Sequence, residues 1–512
     1  MAAPFDTLHP APVWAHFETL CRIPRPSKHE DALRDHLLAW ARARATSHGL
    51  RAEVDAAGNL IIRKPGTPGR EQAPMLALQG HLDMVTQKAS GSTHDFLKDP
   101  IQVVVDDGWL RAPDTTLGSD NGIGVALTLA LLDSTDVPHG PLEALFTVDE
   151  EAGMGGAQGL AAGALQAKLM LNLDTEEWGE FYLGCAGGQD VDVQRQHVAE
   201  PWPAGHVAVT LRVSGLRGGH SGVNIHEERG NAIKLLVQML VGLSLGEPGV
   251  AAPCPGLGLA SLQGGSARNA LPREAEATLA LSPEEWAVLQ SQLGLWQARW
   301  QALLAGVEPR VEVSAQALDA TAAAAVQPAG VLPASEQQVW LRSLHAAPHG
   351  VHRQSQRVAG VVETSNNVGV VNLQPDEGHA NFMVRSLLDD GSQALASQIA
   401  ALWGLSGSTV RCSGAYPGWA PNPDSPLLAV CQRVYRERFA ADSHVQVIHA
   451  GLECGILAAK HPGLDIVSFG PTIRGAHAPG EAVQIDTVAH CWTLLCDIAA
   501  AVSAGQYTTL NQ

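Results

Sequence analysis

The chain has 512 residues, too many for one hydrophobic core, so two or more domains are expected. Its make-up of 45% hydrophobic and 17% charged residues, with 52 glycines and 31 prolines, is that of a globular, loop-rich enzyme. Acidic residues outnumber basic ones by 52 to 33, a net charge of −19, which leaves no basic stripe to replace phosphate counterions and argues against nucleic acid and anionic membranes as partners.

The opening stretch, MAAPFDTLHPAPVWAHFETL, has neither a basic n-region nor an apolar h-region, so no secretory signal is read there. HEDALRDHLLAWARARAT (29–46) has the spacing of an amphipathic helix, with Leu33, Leu37, Leu38 and Trp40 on or near one stripe. APMLALQGHLDMV reads as a buried strand that turns polar at its end. NGIGVALTLALLDS (121–134) reads as a nearly all-apolar helix, and PLEALFTVDEE (141–151) as a strand with carboxylates at its end. AKLMLNLDTEE (167–177) repeats that scheme. Alternating strands and helices predict an α/β fold with a mainly parallel sheet, whose functional residues lie at strand C-termini.

After about residue 198 the pattern changes. HVAVTLRVSGLRGGHSG (206–222) alternates like a half-exposed antiparallel strand, and NAIKLLVQMLVGL follows as a helix. SLQGGSARNALPREAEATLAL (261–281), VEPRVEVSA and NFMVRSLLDD (381–390) add further strands, and ALDATAAAAVQPAGVLPAS reads as a linker or loop. The expected organisation is a catalytic domain in two parts, 1–197 and 399–512, around an inserted α+β domain at 198–398 with room for two lobes. No run of about 18 or more apolar residues reads as a membrane span. Eight scattered cysteines without a CxxC pair fit reduced thiols in the cytoplasm.

Five segments that end strands or lie in glycine-rich loops carry acids or histidines: GHLDM (His81, Asp83), TLGSDNGIG (Asp120), TVDEEAGMGG (Asp149, Glu150, Glu151), LNLDTEE (Asp174) and RGAHAPGE (His477). Nitrogen and carboxylate oxygen without cysteine suit zinc in an open site rather than a closed structural one. Two metals about 3.5–4 Å apart need a bridging carboxylate with terminal ligands on each side, and the set supplies both with carboxylates to spare for base catalysis. Residues i and i+2 of a strand share a face, so Asp83 can fix the tautomer of His81. Each feature has a plainer reading too: Asp120 as a helix N-cap, the paired glutamates as solvated charges, His477 as an exposed loop histidine. Their joint occurrence at strand ends favours the metal. GMGGAQG (153–159) fails the dinucleotide fingerprint, and neither a Walker A sequence nor a GxSxG serine is present.

GHLDMV, TLGSDNGIGVA, TVDEEAGMGGA, LNLDTEE, LRGGHSGVNIHEERGNA, HAGLECG and RGAHAPGE together resemble the aminoacyl-histidine dipeptidases, carnosinase-type enzymes within the aminoacylase/carboxypeptidase family of co-catalytic zinc peptidases. The resemblance implies two Zn2+ ions, with Mn2+ or Co2+ as substitutes, bridged by Asp120. His81 and Asp174 would complete one metal and Glu151 and His477 the other, with Glu150 as general base and Asp83 clamping His81. It implies that the insertion is a lid carrying His220 as an oxyanion donor, from the same chain or from a partner in a homodimer. Asn269 and Arg385 would hold the substrate carboxylate, and Glu453, by its place in HAGLECG, the substrate ammonium. The plain alternatives are a turn residue for Asn269 and a surface charge for Arg385. The expected activity is metal-dependent hydrolysis of dipeptides with a free amino end, including Xaa-His dipeptides. N-acyl-amino-acid deacylase and tripeptidase are the alternatives on the same fold, and a non-catalytic metal-binding or interaction protein is the alternative of another class.

Overall fold

The computed structural model describes residues 4–245 and 253–507. The chain forms two compact units: one takes in the chain up to Cys185, 419–447 and everything from Leu452, and the other 186–418 with 448–451. The first crossing falls at Cys185, ahead of the 197/198 position read from the sequence, because Gly187–Gln196 pairs with Glu377–Ser386 and Thr409–Tyr416. The same pairing carries the return crossing beyond 398 to Gly418.

The first unit is built on an eight-stranded sheet. Its strands are β1 (Arg51–Val54), β2 (Leu60–Lys64), β3 (Leu76–His81), β4 (Leu142–Thr147), β5 (Leu169–Asn172), β6 (Glu180–Cys185), β7 (His444–Ile448) and β8 (Asp465–Ser468), in the spatial order β1-β2-β4-β3-β5-β8-β6-β7. The central strands β4, β3, β5 and β8 are parallel, while β2 flanks β4 antiparallel and β1 pairs antiparallel with β2. Every residue of β3, β4 and β5 is buried, so these strands are covered on both faces and lack the alternation of a half-exposed strand. One covering element is α1 (Ser119–Asp133), whose residues from Asn121 to Leu132 are all buried. The parallel strands run the same way, so the ends of β3, β4 and β5 bring His81, the Asp149–Glu151 turn and Asp174 to one edge.

A small four-stranded sheet in the same unit includes the hairpin Ile473–Arg474 and Ala482–Gln484, whose loop carries His477. The C-terminal segment Ile485–Gln506 is long and apolar enough to cross a membrane by length and composition, which the sequence reading passed over. In the fold its helix buries Val488, Cys491, Leu494, Leu495 and Ile498 in the core of this unit.

Among the described residues the second unit has one nine-stranded sheet, antiparallel in every assigned pairing, where room for two lobes was read. Helices Ala232–Leu245, Pro283–Leu303 and Ala334–Ala346 bury apolar faces in the same core as its inner strands. The stretch read as a linker is partly helical. Asp319 accepts hydrogen bonds from the Thr321 and Ala322 amides and caps a helix at Ala320–Val326, where the alanine run has high helix propensity.

Candidate metal centre

His81 is the last residue of β3, and Asp174 lies two residues beyond β5. Beyond β4 the chain turns at Asp149 (φ 58), so that Glu150 and Glu151 open a short helical turn. Asp120 is placed by an unusual start to α1. Gly118 holds the N-cap position at φ 69, and a side chain there would meet the Arg25 guanidinium, so only glycine serves. Asp120 follows with non-helical angles (φ −82, ψ 111) and a cis peptide to Asn121. Its carboxylate makes no cap, contrary to the plainer reading of this residue.

Two triads of ligand atoms result. His81 Nε2 lies 3.3 Å from Asp120 Oδ1 and 3.4 Å from Asp174 Oδ1. His477 Nε2 lies 3.2 Å from Asp120 Oδ2 and 3.0 Å from Glu151 Oε1. Asp120 therefore gives one oxygen to each triad. Metal–ligand bonds of about 2.0–2.2 Å in a tetrahedron place neighbouring ligand atoms about 3.3–3.6 Å apart, so these spacings fit a pair of small divalent cations sharing Asp120. Apart from the His81 imidazole, Asp174 Oδ1 is buried with no hydrogen-bond partner among the described residues, which leaves room for a cation.

The charges point the same way. His477 is pushed up to about 11 by the carboxylates of Asp120 and Glu151. Burial lifts Asp174 to about 7 and raises Glu150 well above the usual carboxylate range. Asp120 is held low by the His477 and His81 imidazoles, which outweigh the upward push of burial. Carboxylates crowded to this degree repel one another, and a divalent cation relieves that repulsion. Glu150 completes a third group with His81 and Glu151, yet its carboxylate has no hydrogen-bond partner among the described residues.

Asp83 does more than clamp one imidazole. Oδ1 lies 3.3 Å from His81 Nδ1 and accepts the Glu150 amide at 3.0 Å, while Oδ2 accepts the Glu151 amide at 3.0 Å and the Ser27 hydroxyl at 2.7 Å. One buried carboxylate thus orients a ligand and the turn bearing both glutamates. Against the upward push of burial, these partners hold it at about 2.

Two supporting residues escaped the sequence reading. Glu481 Oε2 accepts the amides of Leu117 and Gly118 at 2.8 and 3.0 Å, and Oε1 accepts the Ser119 amide at 2.8 Å and its hydroxyl at 2.5 Å. It caps α1 from the loop that also carries His477. Arg25, buried, donates to the carbonyls of Leu82 and Asp83 at 3.0 Å each and of Gly118 at 2.5 Å, joining the end of β3 to the start of α1. RGAHAPGE contained Glu481 within view, whereas nothing in RIPRPSK marks Arg25.

In the second unit, His220 Nδ1 accepts the amides of Gly222 at 3.2 Å and Val223 at 3.0 Å, which puts the ring proton on Nε2. Arg385, buried, donates to Tyr416 Oη at 2.9 Å, and its Nη2 lies 3.5 Å from His220 Nε2. Two donors this close, with no acceptor between them, suit an anionic oxygen. Burial and the neighbouring Arg385 lower His220 to about 4, so the ring is neutral. The Asn269 carbonyl accepts the Ser221 amide, which sets Asn269 beside His220, with its side chain exposed.

Glu453 requires a correction. It is 0% exposed, and its Oε2 accepts Gln79 Nε2 at 2.7 Å and Thr147 Oγ1 at 2.6 Å. A carboxylate sealed under the sheet edge does not meet a substrate ammonium. HAGLECG gave no sign of this, since burial is decided by distant strands.

Comparison with known proteins matches residues 77–501 to the model of peptidase family M20/M25/M40. The chain is 43% identical to the cytosol non-specific dipeptidase of Escherichia coli strain K12, over 97% of this chain and 99% of that one. The crystal structure of aminoacylhistidine dipeptidase from Vibrio alginolyticus superposes with a TM-score of 0.88 at 41% identity, covering 98% of each chain. Aminopeptidase PepT from Bacillus cereus, at 15% identity and a TM-score of 0.54 over 97% of this chain and 99% of that one, shares the fold.

Proposed function

Since this chain belongs to peptidase family M20/M25/M40, we propose that it hydrolyses dipeptides with a free amino end, Xaa-His dipeptides among them, at a centre of two divalent cations. The observation that carries the reading is the pair of ligand triads joined at Asp120, with Glu150 unengaged beside them. The names of the relatives in Escherichia coli and Vibrio alginolyticus support the dipeptidase assignment.

His81 and Asp174 would hold one cation and Glu151 and His477 the other, with Asp120 offering an oxygen to each. Zinc is the proposed metal, with manganese or cobalt as substitutes, and when bound it polarises the scissile carbonyl and brings the pKa of water towards neutrality. Glu150 takes the proton of the attacking water and returns it to the leaving amine, a task suited to a carboxyl that burial has made more basic. Asp83 keeps His81 and both glutamates aimed. The neutral His220 donates a hydrogen bond from Nε2 to the tetrahedral oxyanion, and Arg385 with Asn269 holds the substrate carboxylate. The second unit acts as the lid. A cytoplasmic location and a homodimer through the lid belong to the same proposal, and sedimentation tests the latter.

The test is a hydrolysis panel of dipeptides, tripeptides and N-acyl amino acids on zinc-reconstituted enzyme. Dipeptides with a free amino end are expected to turn over fastest, with Xaa-His members among the substrates. Cleavage of acylated substrates alone makes the chain a deacylase, a clear preference for tripeptides makes it a tripeptidase, and no turnover of any member removes the enzymatic reading.

A further inference from the structure

Below the candidate metal centre, polar side chains cross the central sheet at a level where an apolar core is expected. Gln79, Asn172 and Ser468 are direct register partners on the neighbouring strands β3, β5 and β8. The Ser468 hydroxyl donates to Asn172 Oδ1, the Asn172 amide donates to Gln79 Oε1 at 2.5 Å, and the Gln79 amide donates to Glu453 Oε2 at 2.7 Å. Thr147, on β4 and in register with His81, donates to the same oxygen at 2.6 Å. All five side chains are buried.

The direction of these bonds matters. Every donor in the row points towards Glu453, so the dipoles reinforce one another and terminate on one carboxylate. Glu453 Oε1 has no partner at all. Both donors that reach Glu453 end on Oε2, so the row offers that oxygen donors only, as an ionised carboxylate accepts. Gln79 stands two residues before His81 on β3, hence on the same face and about 7 Å below it, and Asn172, the last residue of β5, precedes Asp174 by two. The start of helix α2 (Glu453–Lys460) supplies the carboxylate itself.

We propose that Glu453 is a positioning residue for the metal centre. The row Ser468–Asn172–Gln79 with Thr147 supports its negative charge one pleat step beneath His81, and that charge strengthens the hold on divalent cations. The inference rests on the metal reading of the site given above. Glu453 touches neither substrate nor metal. In the metal-free chain burial, with the carboxylates of Asp174 and Asp83 adding to it, raises Glu453 to about 7, so there its charge opposes folding, and a bound cation turns the cost into attraction.

That reversal separates an electrostatic role from a merely structural one. The experiment is a Co2+ titration of the full chain followed by the d–d absorption band, with urea unfolding of the metal-free protein in parallel, on the unaltered chain, Glu453→Gln and Thr147→Val. Glu453→Gln is expected to bind Co2+ about 10- to 100-fold more weakly, while its metal-free form unfolds at the same or a higher urea concentration. Thr147→Val, which removes one donor and keeps the charge, is expected to lose less affinity in the same direction. Unchanged Co2+ affinity in either variant overturns the inference. So does a fall in metal-free stability that parallels the fall in affinity, because it would make Glu453 a structural residue only. If the unaltered chain takes up no Co2+, the metal reading itself fails, and this inference with it.

Discussion

Glutamine in place of Glu481 tests how firmly the bridging carboxylate is anchored. Glu481 satisfies five donors at the start of α1, two on Oε2 at 2.8 and 3.0 Å and three on Oε1 at 2.5–3.4 Å. Glutamine keeps one oxygen and turns an NH2 group towards the two donors of the other. Two hydrogen bonds to a buried charged group are lost, each worth about 1.5–3 kcal/mol. Arg25 loses a nearby counter-charge in the same substitution. Breaking one side of a buried charged arrangement costs about 3–5 kcal/mol, which agrees with the bond-by-bond figure. We therefore expect the first unit to lose about 4 kcal/mol of stability. Urea unfolding is the assay, combined with hydrogen exchange at the amides of 117–120 because a two-unit chain does not unfold in a single step. Those four amides should exchange faster than the rest of α1. A variant within about 1 kcal/mol of the unaltered chain, with protection at 117–120 unchanged, would refute the reasoning.

Three other outcomes are expected. Glu150→Ala should keep its metal, measured by elemental analysis, and lose about 10²–10⁴ in kcat, since only the proton shuttle is gone. His220→Gln should lose about 10²–10³ in kcat. In the unaltered enzyme, kcat/KM should show no inflection near pH 6.5 attributable to His220, because burial and Arg385 hold that ring at about 4. In the second unit, burial lowers His349 and His449 to about 3, with Lys234 and Arg385 adding to the effect. Their unfolded values are near 6.5, so below that pH the unfolded chain binds more protons and stability falls as pH falls. The two rings give a slope of up to about 2.7 kcal/mol per pH unit between about pH 6 and 4. A urea midpoint that stays level from pH 7 to 5 would count against this.

The residues legible in the sequence were those that a strand end announces. His81, Asp174 and the pair Glu150–Glu151 each follow an apolar run that burial on both faces makes conspicuous. Asp120 was legible as an acid beside an apolar helix, but not the Gly118 turn and the Glu481 cap that set its surroundings. Arg25 was silent because a lone arginine in a proline-containing segment reads as a surface charge, whereas its guanidinium is spent on three backbone carbonyls. Glu453 misled for the converse reason: a glutamate in a glycine-rich motif suggests exposure, and only the side chains of Gln79 and Thr147 reveal that it is enclosed. The boundaries of the insertion moved because pairing partners of Gly187–Gln196 lie nearly 200 residues further on, at separations that local patterning does not carry.

The hairpin loop that holds both His477 and Glu481 also fixes when the centre can exist. His477 and Asp120 are separated by 357 positions, with the entire inserted unit between them in the chain. On the ribosome the chain is made from its N-terminus, so His81, Asp120, Glu151 and Asp174 are synthesised long before their last partner. Until then the start of α1 lacks its cap, and only one triad has all its members. A nascent chain can therefore offer a cation a partial, loosely held site, while the shared one awaits the final stretch of translation. If the centre holds metal as proposed, the second triad can take up its cation only after synthesis, so the metal available to the finished chain bears on which ion sits there.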